Sequence, residues 1–266
     1  MTVTATLPER RTRYGLAHVL RSEFTKLRTL RSTGWTLLVA VVGTIGVTVL
    51  VTNSAAHHNH GWYQGSGFDP TNQSLTGLLL ALLVLGVFGV LAATGEYATG
   101  TIRSSLAATP RRPLFLLAKV LVVGAVALVV GEVVSFAAFG VGQAIFASGT
   151  APTASLAQPG VLRAVMLSGA FLALIALSGL ALGVIFRHTA GALSVFLGLT
   201  FLLPLIMSRI SNHSIRFTPI PILSNSVSAV VPQSNAVTAP EGFALMALYT
   251  VALLGLATAV LLRRDA

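Results

Sequence analysis

The chain has 266 residues, of which 54% are hydrophobic and only 9% charged, and its mean hydropathy is +0.84. A soluble domain carries about a quarter charged residues, so this composition excludes one and makes lipid the solvent. The net charge of +10 comes without a basic face interleaved with aromatics. It points to anionic headgroups rather than nucleic acid. Cysteine is absent, which excludes disulfides, thiolate metal sites and a Cys nucleophile. The predominance of Arg over Lys is the composition of a GC-rich bacterial genome.

In the amino-terminal lead, Leu16, Val19, Leu20, Phe24, Leu27 and Leu30 recur at spacings of three and four, with Arg21, Thr25 and Arg28 opposite. The spacing predicts an amphipathic helix lying in the headgroup layer, with its leucines down and Arg21 and Arg28 toward phosphate. A solvated helix or a bare orientation signal is the alternative. The first apolar run, 34–52, begins too late and runs too long for an ordinary signal peptide despite Ser54-Ala55-Ala56, and is read as a retained span. His57, His58 and His60 follow in a polar loop. Only distant Asp69 could join them, so a solvated loop is expected there and no metal site.

The second run is 75–93. After it comes Gly95-Glu96-Tyr97-Ala98-Thr99-Gly100-Thr101-Ile102-Arg103, then Ser104 to Thr109 and Pro110-Arg111-Arg112-Pro113. Gly95 and Gly100 imitate the start of a phosphate loop, but Thr101 and Ile102 stand where Lys and Ser or Thr are required. A short helix is predicted here, ended by Pro110. Taken alone, the segment would more often be an ordinary connector stabilised by caps and a salt bridge.

The third run, 120–147, is long for one span and too short for two. It contains Glu132, and a carboxylate at that depth is a candidate for the substrate path. The alternative is that the long helix projects outward and places Glu132 near the surface. The fourth run, 165–186, carries Gly179 and Gly183, a Gly-xxx-Gly pair suited to close packing within the subunit. The fifth, 192–207, has Pro204 near its end, and the sixth is 242–262. The intervening segment 208–241 is rich in Ser, Asn and Pro.

Six spans divide the chain into a tail and amphipathic helix (1–33), a transmembrane domain (34–262) and a short tail (263–266). With the amino terminus inside, seven Lys and Arg precede the first span, four lie between Arg103 and Lys119, and Arg187, Arg263 and Arg264 complete the inner set. Only Arg163, Arg209 and Arg216 are left outside. This bias predicts that both termini are cytoplasmic. The fold class expected is an all-α integral membrane protein.

Several motifs now stand in order: Ser22-Glu23-Phe24-Thr25-Lys26-Leu27, the Gly-Glu...Gly-Thr-Ile-Arg loop running into Pro110-Arg111-Arg112 and Lys119, and the ending Arg263-Arg264-Asp265-Ala266. Pro232-Gln233-Ser234-Asn235 matches more loosely a region between the last two spans. In this order the chain resembles the membrane subunits of type-two ABC exporters. The resemblance implies that Glu96, Gly100, Thr101 and Arg103 belong to a coupling element that docks on an ABC ATPase subunit. It also implies a second membrane subunit, the same chain in the simplest case. ATP and Mg would be bound by the partner ATPase, with no cofactor on this chain. The setting would be a bacterial inner membrane, and a hydrophobic drug, antibiotic or lipid would be moved by alternating access. The competing readings are an ion-coupled secondary transporter using Glu132 and a non-transporting membrane or immunity factor. Catalysis by the chain itself lacks support, because no His lies in a predicted span and no His-Glu-x-x-His motif is present.

Overall fold

A backbone inside hydrocarbon finds no water to bond, so each long apolar run must close its own hydrogen bonds as a helix. A computed structural model describes residues 15–58, 68–108, 111–149, 151–210, 214–229 and 237–263. Among these, six helices are long and apolar enough to cross a membrane. They are α2 (Arg31–His58), α4 (Leu78–Ala98), α6 (Arg112–Ser148), α7 (Val161–Phe186), the pair α8 (Thr189–Leu197) and α9 (Leu203–Ile210), and α11 (Ala239–Arg263). Shorter helices flank them: α1 (Leu16–Thr29), α3 (Pro70–Ser74), α5 (Thr101–Ala108) and α10 (Pro219–Ser226).

The bundle is arranged around α7, whose span is 72% buried, whereas α2 is only 17% buried and lies at the periphery of the subunit. Small residues permit the close approach. A Cβ at Gly179 would stand 2.3 Å from the Gly86 carbonyl oxygen, and one at Gly183 would stand 2.8 Å from the Ala93 Cβ, so both glycines face α4 within the subunit. Such contacts let two backbones pack with little side chain between them.

All six spans differ in extent from the runs read in the sequence, and in the third and fifth the difference has an identifiable cause. The third begins at Arg112 and has 37 residues, about 55 Å of helix, so it exceeds the ~30 Å hydrocarbon core. Lys119 does not interrupt it, because its charge is neutralised by neighbours on other helices. The fifth span runs Thr189–Arg209 and widens into a π-helical turn at Gly198–Leu202. Pro204 lies just beyond and has no N–H for the preceding turn; a wide turn is one way to relieve that break.

The amphipathic reading of α1 requires a correction. Its buried residues are Val19, Glu23 and Leu27, while Leu16, Phe24 and Leu30 are exposed. The helix therefore seats a carboxylate against the bundle, chiefly on α6, instead of laying all its leucines on lipid. Arg21 and Arg28 are exposed and flank Phe24 at helical spacing, which leaves that edge as the one suited to headgroups.

Candidate functional site

Four charges meet where α1, α4, α5 and α6 converge. Glu23 and Lys26 lie one turn apart on α1, Glu96 ends α4, and Lys119 lies two turns into α6. Lys119 Nζ is 2.6 Å from Glu23 Oε2 and 2.8 Å from Glu96 Oε1. Lys26 Nζ is 2.5 Å from Glu23 Oε1 and 3.0 Å from the same Glu96 oxygen. Lys26 also donates to Ser105 Oγ of α5 at 2.9 Å, and Lys119 to the Ala92 carbonyl at 3.4 Å. Each ammonium thus uses three donors, the full capacity of a lysine.

Both ammonium groups lie over the Phe115 ring, 5.4 and 5.3 Å from its centroid, so an aromatic face replaces part of their lost hydration. Two positive and two negative charges cancel, which is what allows the side chains of Glu23 and Lys119 to be only 4% and 6% exposed. Burial alone would lower the Lys26 ammonium, but its hydrogen bond to Glu23 and the charges of Glu96 and Glu23 outweigh it and hold it above the usual 10.5. One acceptor remains over: Glu96 Oε2 is buried with no hydrogen-bond partner among the described residues.

The turn after Glu96 fixes where α5 lies. Gly100 has φ of 71°, the left-handed conformation that ends a helix at little cost for glycine. The Thr99 and Thr101 hydroxyls are 2.9 Å apart, and α5 starts at Thr101. Arg103 is exposed on α5. Of the residues singled out in this loop, Glu96 is therefore inside the cluster, Gly100 and Thr101 shape the turn, and Arg103 stands outside. The sequence reading left Glu96 without its partners. A signal was present in Glu23, a carboxylate with Val19 and Leu27 at i−4 and i+4, where an apolar residue was expected.

The opposite end is also closed by polar contacts. Asp69 Oδ1 accepts from the Thr71 and Asn72 amides, and its Oδ2 accepts from the Ala229 amide at 2.7 Å. Asn72 donates to Ser228 Oγ at 2.8 Å. Gln143 of α6 donates to the Pro70 carbonyl and accepts from the Ala154 amide at 2.7 Å. Asp69, read in the sequence only as a distant metal ligand, is here a structural cap. His60 and Pro232 to Asn235 lie outside the described residues, as do the side chains of His57 and His58. No group of three potential metal ligands forms among the described residues.

Glu132 is half-buried on α6, with Oε2 enclosed and without a hydrogen-bond partner among the described residues. It rests against Gly169 of α7, where a Cβ would lie 2.6 Å from its carboxyl carbon. Lys119 is engaged elsewhere. On the far side of α7 a groove of about 430 Å³ opens between the π-helical turn, α10 and α11, with Phe196, Leu199, Met246 and Tyr249 among its walls and Ser178 and Thr200 as polar points.

The ABC-2 family transporter protein model matches residues 19–216, a stretch that contains the four-charge cluster and the first five spans. No curated protein is significantly similar to the chain. The chain belongs to the ABC-2 family of transporter proteins, as a multi-pass membrane permease subunit.

Proposed function

We propose that this ABC-2 permease subunit exports a hydrophobic drug, antibiotic or lipid-like cargo across a bacterial inner membrane, driven by ATPase subunits that dock at α5. The end bearing α1, α5 and Arg263 faces the cytoplasm, a placement that the distribution of Lys and Arg supports. A second copy of the chain completes the transmembrane domain, and ATP and Mg stay on the ATPase. The observation that carries the reading is the reach of Lys26, which bonds Ser105 on α5 while paired with Glu23 on its own helix and Glu96 on α4. Displacing α5 therefore pulls on a buried ionic knot, and through Lys119 on α6 as well. Interiors of this kind shift between discrete arrangements instead of yielding gradually.

Arg103, exposed on α5, supplies the docking charge. A charge enclosed at a protein interface costs about 2–5 kcal/mol when its partner is left unpaired. The apolar groove beside the π-helical turn supports a hydrophobic cargo; Glu132 lies on the other side of α7, outside that groove, and is a separate candidate for the substrate path.

The test separates docking from transmission. In membranes reconstituted with its ABC ATPase partner, Arg103→Ala should reduce ATPase copurification. Lys26→Met should preserve copurification and abolish stimulation of hydrolysis by cargo. Parental behaviour in both variants would remove α5 and the cluster from the mechanism.

A further inference from the structure

At the Arg-rich end, the start of α6 meets the end of α11 and leaves a groove of about 600 Å³ lined by Arg111, Arg112, Pro113, Leu114, Leu117 and Leu262. Its two ends differ in chemistry. Arg112 donates to the Leu261 carbonyl at 3.0 Å, which satisfies one of the last carbonyls of α11 and pins the two helix ends together. Arg111 is exposed, and no ion pair among the described residues uses it. Leu117 and Leu262 are 48% and 53% exposed. Leu117 lies five residues beyond Arg112, about 7.5 Å further along the helix.

The groove therefore offers a cation at one end and an apolar wall beside it. The first turn of α6 adds its positive end, although the Leu114 and Phe115 amides already donate to the Arg111 carbonyl at 2.9 and 3.2 Å and Pro113 has no N–H, so the Arg111 side chain is the group left for an anion. A water-soluble anion would use the arginine and leave the leucines bare, and a zwitterionic phospholipid would bring a second cation beside the arginine along with its phosphate. We propose that this groove binds an anionic phospholipid, with its phosphate at Arg111 and an acyl chain along Leu117 and Leu262. The site lies on the surface of the subunit and does not depend on cargo or on ATPase docking.

The test is retention of lipid by the full-length purified chain in mild detergent, read by native mass spectrometry after equilibration with mixed phosphatidylglycerol and phosphatidylcholine. The parent should retain phosphatidylglycerol preferentially. Arg111→Gln should weaken that retention about fivefold, the effect of one basic residue near an anionic surface, and Arg111→Lys should largely restore it. Leu117→Ser should weaken it as well, because the chain loses its wall. Arg112 is left intact because it holds α11, and unchanged thermal unfolding of each variant would show that the fold persists. Equal retention of the two lipids by the parent, or no change in Arg111→Gln, would overturn the proposal. Displacement by inorganic phosphate with no dependence on Leu117 would reduce the groove to a simple anion site and overturn it too.

Discussion

Replacing Glu23 with Gln removes one of two negative charges from an enclosed group of four. The remaining carboxylate, Glu96, must then serve Lys26 and Lys119 together, leaving a net positive charge where side chains are only 4–11% exposed at three of the four positions. Breaking a buried pair in this way costs about 3–5 kcal/mol. Lys26 is 30% exposed, so the loss of its pairing adds less, and the lower part of that range applies. The loss falls on α1, because Glu23 is its ionic contact with α6. Val19, buried beneath α1, reports the event: the parent has no cysteine, so Val19→Cys can be labelled without background. A loss of 3 kcal/mol raises the undocked population about a hundredfold, and the maleimide rate should rise in proportion. The double variant Glu23→Leu with Lys119→Met restores neutrality around Lys26 and Glu96 and should bring labelling back toward the parent. If Glu23→Gln labels no faster than the parent, packing of Val19 and Leu27 holds α1, and the ionic argument is wrong.

Alkaline pH should act on the same helix. The Lys26 value is raised on folding, so its contribution is complete below about 10.5 and is lost as pH rises through the folded value; the labelling rate of Val19→Cys relative to that of the exposed Arg21→Cys, which cancels the common rise in thiolate, should increase above that point and not below it. Gly89→Val should lower the unfolding temperature sharply, since a Cβ there would lie 1.8 Å from the Ala176 carbonyl oxygen, at or beyond the upper end of the ~1–3 kcal/mol typical of overpacking. Glu132→Gln keeps the size and hydrogen bonding of the carboxyl; it should change transport across a pH series while leaving assembly intact, and an unaltered pH profile would make Glu132 structural. Arg103→Cys should resist an impermeant reagent added outside intact cells and react in inverted vesicles. The opposite pattern would reverse the proposed orientation.

Much of the fold could be read before the structure because hydropathy is a local sum. Any run of about 20 apolar residues must leave water and close its own hydrogen bonds, whatever surrounds it. The short helix after Gly100 was legible for a similar reason, since glycine punctuation acts within a few residues. The limits of α6 were not, because counting from Lys119 treated a neutralised charge as a hydrated one. In α1 the spacing located the helix and missed its inner face: the pattern assumed that only apolar residues turn inward, whereas Glu23 does so with a lysine on either side of its carboxylate.

The sequence by itself determined that six apolar helices form, that Arg and Lys gather at one end of them, and that a turn and short helix follow the second. These depend on solvent preference and backbone chemistry along contiguous stretches. Only the tertiary structure decided that Lys119 bonds Glu23 across 96 positions of chain, that Lys26 reaches Ser105 across 79, and that Glu132 rests against Gly169. An ionic partner is selected by the depth and rotation of one helix against another. Those quantities are set by which small residues, such as Gly86 and Gly179, allow two backbones to touch, and no count along the chain contains them.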